Sequence, residues 1–163
     1  LASALEVSLV DSDLDVAGVS GAQQLRTVSG GVRSVGGAAA RINTVSGAVN
    51  LSVAKQAGAE VESISGDLAV EGAGGDVSVQ TVSGNGRLAL GSVAKLRLRT
   101  VAGKFSISAS LAAGARLEGE SVSGDLTLAQ KNAPGARLRF TSGDGKAEVH
   151  LSSKSGNLDL CTR

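Results

Sequence analysis

Apolar and polar residues alternate along short stretches of this chain, and the stretches recur. Five residues before a series of glycines stand Leu25, Ile42, Val61, Val79, Leu98 and Leu138, with Gly119 breaking the row. Seven before stand Ala40, Ala59, Val77, Leu96, Leu117 and Ala136, with Gln23 out of pattern. The positions between are polar: Arg41 and Asn43, Glu60 and Glu62, Ser78 and Gln80, Arg97 and Arg99, Glu118 and Glu120, Arg137 and Arg139. A period of two predicts a strand with one buried face. After each glycine the alternation resumes at Val49 and Leu51, Leu68 and Val70, Phe105 and Ile107, Leu126 and Leu128. That is a second strand.

The glycines close a recurring tripeptide. Gly30, Gly47, Gly66, Gly84, Gly103, Gly124 and Gly143 end Val-Ser-Gly or a close variant, 17 to 21 residues apart. A second set of corners contains Gly18, Gly36-Gly37, Gly58, Gly74-Gly75, Gly91, Gly114 and Gly135. Glycine suits corners because positive φ costs it little. A repeat this short cannot bury its own apolar face, so the units must stack. The expectation is an all-β parallel β-solenoid, or β-helix, with about 19 residues and two main strands per turn. Roughly eight rungs at about 4.8 Å would make a rod on the order of 40 Å long. Residues 1–163 read as a single solenoid domain.

Stacking in register places Arg97 and Arg99 on Glu118 and Glu120, and these on Arg137 and Arg139. Opposite charges on neighbouring strands attract and like charges repel, so the alternation of sign helps set the register. It explains these charges without a ligand.

Composition removes several function classes. There are 16 basic and 15 acidic residues, a net charge of +1, which does not suit a nucleic-acid binder. No segment is long and apolar enough to span a bilayer, and none reads as a signal peptide. With 23 glycines, two phenylalanines and no Trp or Tyr, the core is built from thin layers, and aromatic platforms for sugars are missing. Phe105 and Phe140 fall on core and corner positions. Cys161 is alone, so no internal disulfide is expected.

Candidate chemistry is sparse. His150 is the sole histidine and has no Cys pair for zinc. The serines recur at a structural position, and no Gly-x-Ser-x-Gly elbow occurs. Gly72-Ala73-Gly74-Gly75-Asp76 has the glycine and aspartate of a calcium β-roll, but only once, which favours a corner. Asp125 and Asp144 fall on adjacent rungs, where a stray cation could sit, yet turn capping accounts for such aspartates. Thr27, Thr44, Ser63, Thr81, Thr100 and Ser121 form a hydroxyl row. Regular threonine rows can bind ice. Here parity with Leu25 and Ile42 turns the row inward, to bond the backbone at the bend. No catalytic residue, cofactor or metal ligand is assigned.

The recurrent pattern is seen in Thr44-Val45-Ser46-Gly47, Ser63-Ile64-Ser65-Gly66-Asp67-Leu68, Thr81-Val82-Ser83-Gly84-Asn85 and Ser121-Val122-Ser123-Gly124-Asp125-Leu126. It resembles a bacterial family of adhesin-type β-strand-repeat proteins, over about Val19 to Leu160. The resemblance implies a right-handed parallel β-solenoid at the cell envelope, in the periplasm or at the surface. It implies a non-catalytic structural or interaction module whose partner is an envelope protein or surface ligand. It carries no catalytic residues. The chain departs from the pattern where Lys154-Ser155-Gly156 follows Gly143 by only 13 residues. The competing expectation is a self-assembling, bactofilin-like scaffold, because terminal rungs carry unpaired backbone groups. Leu5 to Val16 and Asn157 to Leu160 both read as strands. Asp11, Asp13 and Asp15 are placed to oppose such stacking, which leaves weak end-to-end or edge association.

Overall fold

The computed structural model describes residues 4–37, 39–53, 58–131, 136–142, 148–153 and 158–162, with side chains through Ala109 and at 116–120 and 127. Thirteen strands and no helix make up the described chain. In order they are β1 (Leu5–Asp11), β2 (Leu14–Val19), β3 (Ala22–Ser29), β4 (Val32–Gly36), β5 (Ala39–Ser46), β6 (Val49–Ser52) and β7 (Gly58–Ser65). There follow β8 (Leu68–Glu71), β9 (Gly75–Ser83), β10 (Gly86–Lys131), β11 (Ala136–Ser142), β12 (Glu148–Ser153) and β13 (Leu158–Thr162).

Every strand pairing is parallel, and all skip one element except β9 with β10 and β10 with β11, because β10 runs through more than one turn. β1, β3, β5, β7 and β9 lie side by side and continue into β10. β2, β4, β6 and β8 form the second face and meet the start of β10. Thus the alternation on either side of each Val-Ser-Gly does mark two strands per turn. β10 is a strand of 46 residues that pairs in turn with β8, β9, β11 and β12. Straight, it would reach about 150 Å. Instead it winds around the solenoid, turning at Gly103, where φ is 138°.

The regular part makes about six turns, about 18 residues apart. Leu5 pairs with Gln23, Gln23 with Ala40, Ala40 with Ala59, Ala59 with Val77 and Val77 with Leu96. Farther on the steps widen to 21 residues from Arg116 to Arg137, 22 from Arg137 to Asp159 and 23 from Asp125 to Glu148. Among the described residues the sequence repeat is therefore most even before Arg116, and the roughly eight equal rungs expected give way to about six even turns.

The core is a stack of matching positions. Leu25, Ile42, Val61, Val79 and Leu98 lie one above another on the first face. Val49, Leu51, Leu68, Val70, Leu88, Phe105 and Ile107 oppose them from the second. Gly86 and Phe105 occupy equivalent positions on successive turns. A Cβ on Gly86 would run into the Phe105 ring, so here glycine gives up volume that the ring takes. Gln23, which breaks the apolar row, is nevertheless buried. Its Oε1 accepts a hydrogen bond from Ser34 Oγ at 2.5 Å, and its Nε2 donates to the Gly36 carbonyl at 3.1 Å. One polar layer is thus built into the second turn with its bonds satisfied.

Candidate functional site

The Val-Ser-Gly bend is a column in which each glycine rests on the one before. Gly30, Gly47, Gly66, Gly84 and Gly103 all have positive φ, from 116° to 140°. A Cβ on Gly47, Gly66, Gly84 or Gly103 would meet the carbonyl oxygen of the preceding glycine in the column. Both the dihedral and the close approach demand glycine there. The second corner is different: Gly18, Gly36, Gly37, Gly72 and Gly75 have positive φ, but Gly58 and Gly91 do not. Glycine at those two places answers no dihedral requirement. Gly124 falls inside the β10 run, and Gly143 lies outside the described residues.

The hydroxyl row turns inward. Thr27, Thr44, Ser63, Thr81 and Thr100 are only 1–5 % exposed. Each donates to the carbonyl two residues ahead, at 3.1 Å for Thr27 to Ser29 and 3.3 Å for Thr44 to Ser46. Ser63, Thr81 and Thr100 repeat the bond to Ser65, Ser83 and Ala102. These hydroxyls bridge the bend and present no flat array to ice. The tripeptide serines bond one turn back: Ser46 to the Val28 carbonyl and Ser65 to that of Val45. Their hydroxyls join one turn to the next.

Acidic and amide side chains after the bend do related work. Asp13 Oδ1 accepts the Gly31 N–H at 2.7 Å. Asp67 accepts from the Asn85 backbone and side chain, and Asn85 in turn accepts the Lys104 N–H, all at 3.4 Å. Asp11 accepts the Ser29 hydroxyl at 2.6 Å. Asp15 lies opposite Arg33 in the strand register. Asp11 and Asp13 therefore face the second turn through specific bonds.

The outer surface of the first face carries the charges. Arg41 Nη2 meets Glu60 at 2.6 Å, Arg97 meets Glu118 at 3.3 Å and Arg99 meets Glu120 at 2.7 Å. The hydrogen bond to Glu60, and then the charge of that carboxylate, raise the Arg41 pKa. The next step of the ladder is displaced by two residues. The register sets Glu118 beside Arg139, Glu120 beside Thr141 and Arg116 beside Arg137. The backbone register pairs Leu117 with Leu138, and a shift of two preserves the period-two alternation of the strand. Along the far edge of the same face runs an open groove of about 590 Å³ over Ala4, Ala22, Ala39 and Gly58.

The remaining candidates do not converge. His150 pairs with Thr127, Cys161 with Arg139 and Asp125 with Glu148 along the strand edges. Asp144 lies outside the described residues. Phe140 pairs with Gly119. Gly72 and Gly75 of the calcium-roll-like stretch are ordinary left-handed corners. Among the described residues, no three His, Cys, Asp or Glu gather to hold a metal ion, and no helix is long and apolar enough to cross a membrane.

One surface was not foreseen from the sequence. Val10, Val28, Val45, Ile64, Val82 and Val101 are 42–73 % exposed and form a single ridge, one residue per turn, along the bend edge. The signal was present in the alternation. The residue two before each glycine has outward parity, like the polar residues four and six before it, yet it is Val or Ile before every glycine of the series except Gly143, where it is Thr141. The first turn joins this ridge through Val10-Asp11-Ser12, a bend that lacks the glycine signature. Searched against family models, curated proteins and solved structures, the chain matches none of them.

Proposed function

We propose that this protein is a non-catalytic structural and interaction module of the bacterial cell envelope, adhesin-like in kind. The observation that carries the reading is how the repeat uses its polar groups. The hydroxyls of the threonine row and the side chains of Asp11, Asp13, Asp67 and Asn85 are engaged within or between turns. What faces outward is a broad charged sheet on a rigid stack, suited to docking by shape and charge. The envelope placement rests on the resemblance of the repeat.

The test is retention. Immobilised protein is incubated with bacterial envelope extract and, in parallel, with cytosolic extract. Saturable retention of an envelope component, weakened by R97E and R99E, is the expected result. A catalytic turnover abolished by substituting a few clustered side chains would overturn the reading.

A second reading, end-to-end assembly into a scaffold, draws on the uniformly parallel stack, in which each turn pairs its backbone with the next. Electron microscopy at raised concentration tests it: fibres with the solenoid axis along their length support it, and their absence rejects it.

A further inference from the structure

The apolar ridge is separate from the charged sheet and calls for its own occupant. Six β-branched side chains stand in one line, one strand spacing apart, so the described ridge from Val10 to Val101 is about 24 Å long. A partner that fits it must present apolar knobs at the same spacing. A second copy of this chain does so by construction. We infer that two copies pair side by side through this ridge, antiparallel, about a two-fold axis at the Val82 turn.

Charge selects the orientation. On one side of the ridge runs the exterior column Arg26, Asn43, Glu62, Gln80, Arg99 and Glu120; on the other, across the bend, runs Gly31, Ala48, Asp67, Asn85 and Lys104. Closed pairs of identical rods are related by a two-fold axis, either along the rods or across them. An axis along the rods keeps them parallel and sets one column against the other at equal height. Glu62 then faces Asp67 and Arg99 faces Lys104, like against like on both turns. An axis across the rods makes them antiparallel and sets each column against itself in reverse.

The height of that axis decides the rest. Centred on Val82, it brings Glu62 of each copy to Arg99 of the other and Asp67 to Lys104. Opposite charges then flank the ridge on both sides. Centred one turn lower, on Ile64, it brings Glu62 and Asp67 against their own copies and Arg26 against Arg99. Like-charge facing suppresses such arrangements. At the Val82 axis, Ile64 packs beside Val101 and the two Val82 side chains meet. Burying these exposed β-branched groups drives association, and the flanking pairs set the register.

The experiment uses the full chain in a C161S background. Sedimentation across a concentration series is expected to show a monomer–dimer equilibrium. V45K/V82K is expected to remain monomeric while its far-UV spectrum and melting temperature match the parent, since both positions are exposed. E62R is expected to weaken pairing about tenfold, and E62R/R99E to recover most of it. A short bis-maleimide is expected to link V82C to V82C. It should fail on V28C, whose two copies lie six turns apart, about 29 Å. A protein that stays monomeric throughout, dimers that survive V45K/V82K, or V28C linking as fast as V82C would each overturn the proposal. Failure here is distinct from failure of the envelope reading, because V45K/V82K leaves Arg97 and Arg99 untouched for the retention assay.

Discussion

A methyl group at Gly66 would have to occupy the space of the Gly47 carbonyl, on a backbone whose φ is 128°. Neither demand can be relaxed without moving a neighbouring turn. G66A is therefore expected to lose at least about 2 kcal/mol in urea unfolding. G91A is the control. Its φ is ordinary, and the nearest atom to an added Cβ is the Gly72 oxygen at 3.4 Å, so less than about 1 kcal/mol should change. Gly86 poses a different problem, because its obstacle is a buried ring and not backbone. G86A should cost about 1–3 kcal/mol by overpacking against Phe105. G86A/F105L should regain most of that loss, and chemical denaturation of the three variants checks it.

Strands on opposite faces are coupled by the polar layer of the second turn. Ser34 in β4 and Gln23 in β3 reach each other across the core. S34V leaves the buried Gln23 oxygen without its donor, and a loss of about 1–3 kcal/mol is expected. Q23L/S34A removes both polar partners, and its unfolding midpoint should lie much closer to the parent than that of S34V. A double-mutant cycle separates the pair from the apolar packing around it. The alternation of the sequence marks position 23 as inward but says nothing of Ser34 as its partner. The two are 11 residues apart and meet only because the bend folds one strand over the other.

Each turn touches only its neighbours, so stability should grade along the rod and not collapse at one place. The central turns carry fully buried Ile42, Val61, Val79 and Leu98, whereas Leu5 and Val7 of β1 are only partly covered. Amide hydrogen exchange is expected to be fastest in β1 and slowest from β5 to β9. Equal protection in β1 and β7 would contradict nearest-neighbour stacking. At this scale the exposed ridge also matters, since a line of apolar groups the length of the regular turns can join whole molecules where a single valine could not.

The stacked architecture, the two strands per turn and the inward turn of the threonine row were all legible in the residues. Period-two alternation and a recurring glycine are local facts, and a parallel stack is the arrangement that satisfies both. Three features waited for the tertiary structure. Whether a corner glycine answers a dihedral, a neighbouring carbonyl or a neighbouring ring depends on what lies one turn away, as Gly66, Gly91 and Gly86 show. The register of β10 on β11 pairs Leu117 with Leu138 across a 21-residue step, which alignment on the glycines does not reveal. The valine ridge became a surface only when six bends lined up along one edge. A chain specifies what each residue is and which way alternate side chains point, but contacts between turns arise from stacking, and the candidate surface of this protein consists of such contacts.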